Sequence, residues 1–318
     1  MLSVVVARPR TCLLRAPAVA SSRPAPDSSP PFAGPRRTSP ASGGRATASP
    51  LLESNLTMHA PPPPLHVVRA GPRGGSPIVL VHAVGLDLTY WDRQIEALSG
   101  TRDVLAFDLP GHGRSAGGPE SWTFDEGTAT IARLIDALNA GPAHLVGISF
   151  GGMLAQKVVL AHPERVRSLG LIATAPTFAE PVRASMRARA EAVRKGGMAA
   201  VLESTLQRWF TAETFVRRPD VVDRASKTLL GDDPTVHAAI WDLIADDFDV
   251  LGRLGEIRCP TLVLVGDSDP STPPSVAATL ADGIRGARRV VLHATSHMAT
   301  VESPAAVSAE LVRFFSEQ

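Results

Sequence analysis

The chain has 318 residues, 44% of them hydrophobic and 20% charged, which is enough to bury one large core with an accessory element. Its net charge of +1 hides an arginine-rich start, because residues 1–60 carry seven arginines against Asp27 and Glu53 and leave about −4 on the rest. A slightly acidic body with no basic face gives no reason to expect a nucleic-acid partner. The absence of any apolar run of roughly 18–20 residues excludes a membrane-spanning helix, and two distant cysteines, Cys12 and Cys259, offer no disulfide framework or metal site and point to a reducing, cytoplasmic compartment.

Residues 1–64 are rich in Pro, Ser, Ala, Gly and Arg, with no sustained apolar period, and are expected to be disordered and outside the fold. The opening MLSVVVARPRTCLLRAPAVASSRP lacks acids until Asp27, which matches an organelle-targeting peptide loosely. The alternative is a start at Met58, and the Arg/Pro/Ala bias, which GC-rich upstream sequence also encodes, favours it.

From Leu65 to Gln318, aliphatic runs alternate with helical patterns, the signature of a mostly parallel sheet flanked by crossover helices. Six runs read as strands buried on both faces: Ile78–Val81, Val104–Phe107, Leu145–Ile148, Leu169–Ile172, Thr261–Val265 and Arg289–Leu292. Ile131, Leu134, Ile135 and Leu138 form a helical stripe within Phe124–Asn139. The last helix opens with Ser303 as N-cap and Pro304 at its first position, then presents Val307, Leu311 and Phe314 along one face. The alternation stops at about Pro176 and resumes after Gly255, so this α/β architecture carries a helical lid over the carboxyl edge of the sheet.

Gly147-Ile148-Ser149-Phe150-Gly151-Gly152 follows a strand and opens a helix, the context of a nucleophile elbow, with glycines where side chains would collide with the strained serine. A serine hydroxyl needs a base, and that base needs an acid to orient it. In chain order Asp269 follows the strand Thr261–Val265, and His297 follows Arg289–Leu292, both at the edge that carries Ser149. The backbone N–H groups of Phe150 and Val84 are the expected oxyanion donors.

Four neighbours of these positions receive other roles. Asp267 is expected to cap its own loop. His293 lies four residues before His297, but no helix or following Glu makes it a zinc ligand. His112 belongs to a loop, and His82 positions the oxyanion loop rather than titrating. No metal or cofactor is expected.

Taken together, HAVGLDLTYWDRQIEAL, FDLPGHGRS, LVGISFGGMLAQKVVLAHPERV, VGDSDPSTPP and TSHMATVESP resemble the α/β-hydrolase family, most nearly its 3-oxoadipate enol-lactonase branch. The resemblance runs from about Leu65 to the C-terminus, and the lid segments Gly196-Gly197-Met198 and Arg208-Trp209-Phe210-Thr211 extend it. Met186 departs from it, standing where the branch has an aromatic residue. The resemblance implies a soluble, cofactor-free enzyme of aromatic catabolism that hydrolyses a small carboxylate-bearing lactone, with Trp209 and Met186 near the substrate. The same motifs serve carboxylesterases, cofactor-free haloperoxidases, carbon–carbon-bond hydrolases and slow-turnover ligand receptors, and they leave the oligomeric state open.

Within the lid, Met186, Ala190 and Val193 recur at helical spacing, and Arg189 falls on the same apolar side while Arg187 and Arg194 point away. A guanidinium there needs an anion or a route to water. The substrate carboxylate is one partner, and Glu180 or solvent is the alternative.

Overall fold

Hydrophobic residues of successive strands divide by parity between two cores, which is what a sheet covered on both faces requires. The computed structural model describes residues 65–318; the expectations for residues 1–64 lie outside them. The strands are β1 (Val67–Ala70), β2 (Ile78–Val81), β3 (Val104–Phe107), β4 (Ala143–Ile148), β5 (Val166–Ile172), β6 (Thr261–Gly266) and β7 (Arg288–Leu292). Their spatial order is β1-β3-β2-β4-β5-β6-β7, with only β1 antiparallel to its neighbour. The carboxyl ends of β2, β4, β6 and β7 therefore share one edge.

Val79, Val81, Leu145, Leu169 and Val263 face one core with α2 (Phe124–Ala137) and α3 (Phe150–Ala161). Ile78, Leu80, Val146, Ile172 and Leu264 face the other, with α1 (Asp92–Leu98) and the C-terminal helix. Five helices stand between β5 and β6: α4 (Glu180–Gly196), α5 (Leu202–Trp209), α6 (Ala212–Arg217), α7 (Pro219–Leu230) and α8 (Pro234–Asp247). They are followed by α9 (Pro274–Gly283), α10 (Ala299–Glu302) and α11 (Pro304–Ser316). On α4, Met186 joins the first core, while Ala190 and Val193 join the second, so the lid is packed into the body. Among the described residues no helix is long and apolar enough to cross a membrane.

Three local expectations change. The short edge strand β1 is additional to the six runs. β7 is not buried on both faces: its residues alternate in exposure because it closes the sheet's other edge. Ser303 stands at the start of α11, but its hydroxyl makes no cap; it bonds instead to Thr295 Oγ1 at 2.6 Å.

Candidate active site

Ser149 sits between β4 and α3 with φ 54° and ψ −118°, a left-handed backbone that an L-residue holds only under strain. The turn is tight enough that a Cβ on Gly147 would lie 2.2 Å from the Gly151 carbonyl oxygen, and one on Gly151 would lie 2.3 Å from that of Val81. The strain is held by fixed partners: the Ser149 N–H donates to Ile172 O at 2.9 Å, and Thr174 Oγ1 donates to Ser149 O at 2.9 Å. The side chain is thereby lifted off the end of β4 and over the sheet edge.

The Ser149 hydroxyl donates to His297 Nε2 at 3.0 Å, and His297 Nδ1 donates to Asp269 Oδ2 at 2.8 Å. The remaining lone pairs of Asp269 accept from Ser271 N at 2.8 Å, Thr272 N at 3.0 Å and Thr272 Oγ1 at 2.7 Å. Burial alone would raise the Asp269 pKa; the His297 charge, its hydrogen bond and the Thr272 donors outweigh it and bring the carboxyl down to about 2. Asp269 is thus an anion aimed at the ring, and it fixes the proton on Nδ1 and leaves Nε2 free to accept.

The remaining predicted residues also converge here. Val84 follows β2, Phe150 follows Ser149, and neither N–H has an acceptor among the described residues. His82 accepts from Leu109 N at 2.8 Å through Nε2 and donates through Nδ1 to Ala83 O at 2.8 Å, so it ties the Val84 loop to the loop after β3. Burial, then the neighbouring His112, pushes its pKa down to about 4, in keeping with a positioning role. Buried His112 has Nδ1 3.2 Å from Pro110 O.

Asp267 serves a second loop besides its own, where it accepts from Ser268 Oγ at 2.8 Å. Its carboxylate accepts from Ala294 N at 3.1 Å, Thr295 N at 3.3 Å and His293 Nδ1 at 2.9 Å, so it caps the histidine loop across the gap between β6 and β7. His293 itself is almost fully exposed.

A cavity of about 680 Å³ opens over Ser149 and His297. Ala83 and Val84 form part of its floor, and Met153, Met186, Trp209, Trp241 and Ile244 give it apolar walls. Arg189 reaches into it and is 9% exposed. Its guanidinium donates to Thr205 Oγ1, lies 5.1 Å from the centre of the Trp241 ring and leaves a buried Nε without an acceptor. Glu180, the alternative partner, is taken by Arg187 at 2.8 Å, and Arg194 pairs with Asp242. Burial, then the nearby Arg208, lowers the Arg189 pKa to about 9, leaving it cationic at neutral pH.

Sequence reasoning missed Trp241, Arg208 and Glu302. Arg208 also lines the cavity, with its guanidinium 5.9 Å from the Trp241 ring centre and no acid partner among the described residues. Glu302 joins lid to catalytic loop: Oε1 accepts from Thr211 N at 2.7 Å and Thr214 Oγ1 at 2.5 Å, while Oε2 accepts from Ser296 N at 2.5 Å. Arg208 lies in the lid segment Arg208-Trp209-Phe210-Thr211 that carries the resemblance, but no local pattern distinguishes Trp241 or Glu302 from ordinary helix residues.

The comparisons point the same way. The α/β-hydrolase fold family model matches residues 76–304. The chain is 28% identical over 269 residues to 3-oxoadipate enol-lactonase 2 of Acinetobacter baylyi, covering 83% of this chain and 99% of that protein. An enol-lactonase structure from Burkholderia xenovorans superimposes with a TM-score of 0.73 at 31% identity, covering 79% of this chain and 96% of that one. A malate-bound thermophilic esterase from Thermogutta terrifontis gives a TM-score of 0.75 at 29% identity, covering 80% and 93%.

Proposed function

The chain belongs to the α/β-hydrolase family, and from that premise we propose that it is a serine hydrolase of a small carboxylate-bearing lactone or ester, with 3-oxoadipate enol-lactone as the substrate of choice. One observation carries the reading: the Ser149–His297–Asp269 hydrogen-bond chain opens into the same cavity as Arg189, a buried cation without an acid partner among the described residues. The enol-lactonase relatives support the choice of substrate.

In this reading His297 takes the Ser149 proton as Oγ attacks the lactone carbonyl, and Asp269 stabilises the imidazolium. The Val84 and Phe150 N–H groups hold the oxyanion, each worth about 2.7–4 kcal/mol of barrier. Collapse of the tetrahedral intermediate breaks the ring C–O bond as the His297 imidazolium returns its proton to the departing oxygen, which gives the enol acyl-enzyme and a neutral His297. The departing oxygen stays tethered and could close the ring again, but an enol tautomerises to a ketone and is no longer a nucleophile. Water activated by His297 then cleaves the ester to Ser149, and Arg189 holds the substrate's distal carboxylate throughout. A cytoplasmic location goes with this reading, and the two-cysteine composition supports it.

The apolar cavity walls favour a second reading, a carboxylesterase taking longer acyl chains. Turnover of purified protein and its Ser149→Ala variant on a panel of lactones and esters separates the two. Faster hydrolysis of enol-lactones with a free carboxylate supports the first. Equal or faster hydrolysis of neutral esters overturns it, and turnover by Ser149→Ala removes the nucleophile.

A further inference from the structure

The lid holds a second buried acid–histidine pair, remote in sequence from Ser149. His237 on α8 is 1% exposed and its Nδ1 lies 2.8 Å from Oδ2 of Asp232, itself 4% exposed. One turn further along α8, Trp241 Nε1 lies 2.9 Å from His237 Nε2. An indole N–H can only donate, so Nε2 must accept and the single proton of a neutral ring must be on Nδ1, where Asp232 accepts it. Burial lowers the His237 pKa and outweighs the raising effect of Asp232, which keeps the ring neutral and able to accept from the indole. Asp232, His237 and Trp241 thus form a directional chain whose order is set by what each group can donate.

Its far end is the cavity wall. The Trp241 ring faces Arg189 at 5.1 Å and Arg208 at 5.9 Å, and both guanidiniums line the cavity without an acid partner among the described residues. Arg208 is close enough to lower the proton affinity of Arg189, and two guanidiniums on one cavity wall need a fixed π surface and an incoming anion to stand together. Rotation of an unanchored indole would move the surface on which both stand.

We propose that Asp232 and His237 are positioning residues for substrate recognition, acting through Trp241, which they hold as the platform for an anion receptor formed by Arg189 and Arg208. The proposal rests on the reading that the substrate carries a carboxylate. It implies that selectivity for acidic acyl groups is set partly by residues that never touch substrate.

The test uses the purified full chain and two activated esters matched in size, 4-nitrophenyl hydrogen glutarate and 4-nitrophenyl valerate. His237→Leu raises KM for the acidic ester by about tenfold more than for the neutral one, with kcat changing less. His237→Gln, which keeps an acceptor for the indole, recovers most of that gap. In a Trp241→Phe background His237→Leu adds less than about twofold, because both act through one hydrogen bond. Additive effects, or equal KM rises on both esters, overturn the proposal. A readout independent of turnover is the Trp241 indole N–H resonance, assigned by its absence from Trp241→Phe: Asp232→Asn shifts it, and an unmoved resonance overturns the relay even if His237→Leu fails to fold. If the wild type shows no preference for the acidic ester while the resonance responds, the proposed substrate class fails instead.

Discussion

Gly266 packs so closely on Thr295 that a Cβ at residue 266 would lie 2.0 Å from the Thr295 carbonyl oxygen. Asp269 and His297 come from the loops that meet at this contact. The Ser268 N–H donates to Thr295 O at 3.0 Å and Asp267 caps Ala294 and Thr295, so the 2.8 Å bond between Asp269 and His297 is the outcome of backbone pressed against backbone. Gly266→Ala forces the loops apart. A displacement of about 1 Å lowers kcat/KM by on the order of 10²-fold. Kinetics beside thermal melting checks this, and unchanged kcat/KM in a folded variant would show that the loops tolerate separation.

The triad itself makes a sharper prediction. Ser149→Ala and His297→Ala each lower kcat by on the order of 10⁶, and the double variant costs little more, because the residues act as a unit. Asp269→Asn costs about 10⁴ by letting the imidazole settle in the wrong tautomer. Asp267→Asn retains an acceptor for one of the two capped amides and costs less than about tenfold. Single-turnover rates for the five variants decide it; additive losses at Ser149 and His297, or the reverse ranking of the aspartates, would refute the assignment.

These contacts show which parts of the molecule sequence could reveal. The buried strands were legible because aliphatic runs bounded by turn residues have few other uses, and Ser149, Asp269 and His297 because strand ends fix where loop residues emerge. Val67–Ala70 was not, being four residues at an edge whose pairing depends on a partner strand far along the chain. The cross-loop role of Asp267 and the Ser303 hydroxyl's choice of Thr295 over a helix cap were equally hidden, since each depends on which loop lies opposite. Arg189 could be placed on an apolar helix face, but its lack of an acid partner required knowing that Arg187 occupies Glu180.

Buried histidines make the fold acid-labile. His82 and His144 have pKa values pushed down to about 4, burial being the main cause in both, against an ordinary 6.5. A base whose folded pKa is depressed contributes stability above its unfolded pKa and loses it as pH falls towards the folded value, so the loss runs from about pH 6.5 to 4. Asp269, with its pKa lowered to about 2, extends the loss below pH 4, since an acid depressed on folding is stabilising only while ionised. Urea unfolding between pH 8 and 4.5 shows a plateau and then a decline, and His144→Gln reduces proton uptake on unfolding by up to about one proton. An unchanged slope in that variant would remove His144 from the account.

Glu302 couples the lid to the base. Its two oxygens are shared between Thr211 and Thr214 on the lid and the Ser296 N–H beside His297. Two further bonds cross the same seam, Met298 N to Trp209 O at 3.1 Å and Ser296 Oγ to Arg208 O at 3.0 Å. Glu302→Gln substitutes a donor for one of two acceptor oxygens that serve four donors and leaves at least one unsatisfied, at about 1–3 kcal/mol. The variant melts lower and loses kcat on neutral and acidic esters alike, because the disturbance reaches His297. A KM effect confined to acidic esters would place Glu302 in recognition instead.

Arg189 carries the proposed substrate class. The side chain is buried, leaves Nε unsatisfied and has no acid partner among the described residues, so the free enzyme holds a desolvated cation facing the cavity. A carboxylate entering the cavity would accept from it at full charge–charge strength, and binding would raise the lowered Arg189 pKa back towards its usual range. Arg189→Met keeps the apolar stem and removes the donors. KM for a carboxylate-bearing lactone then rises between about tenfold and a hundredfold, equivalent to 1.4–2.8 kcal/mol, while a neutral ester of the same size is hydrolysed as well as before or better. The variant also melts higher than wild type, since burying methionine in place of an unpaired guanidinium removes a desolvation penalty. The two shifts come from one cause and must appear together. A higher melting temperature without loss of selectivity would mean that Arg189 is only a strained part of the lid, and the site would then have no anion receptor centred on it.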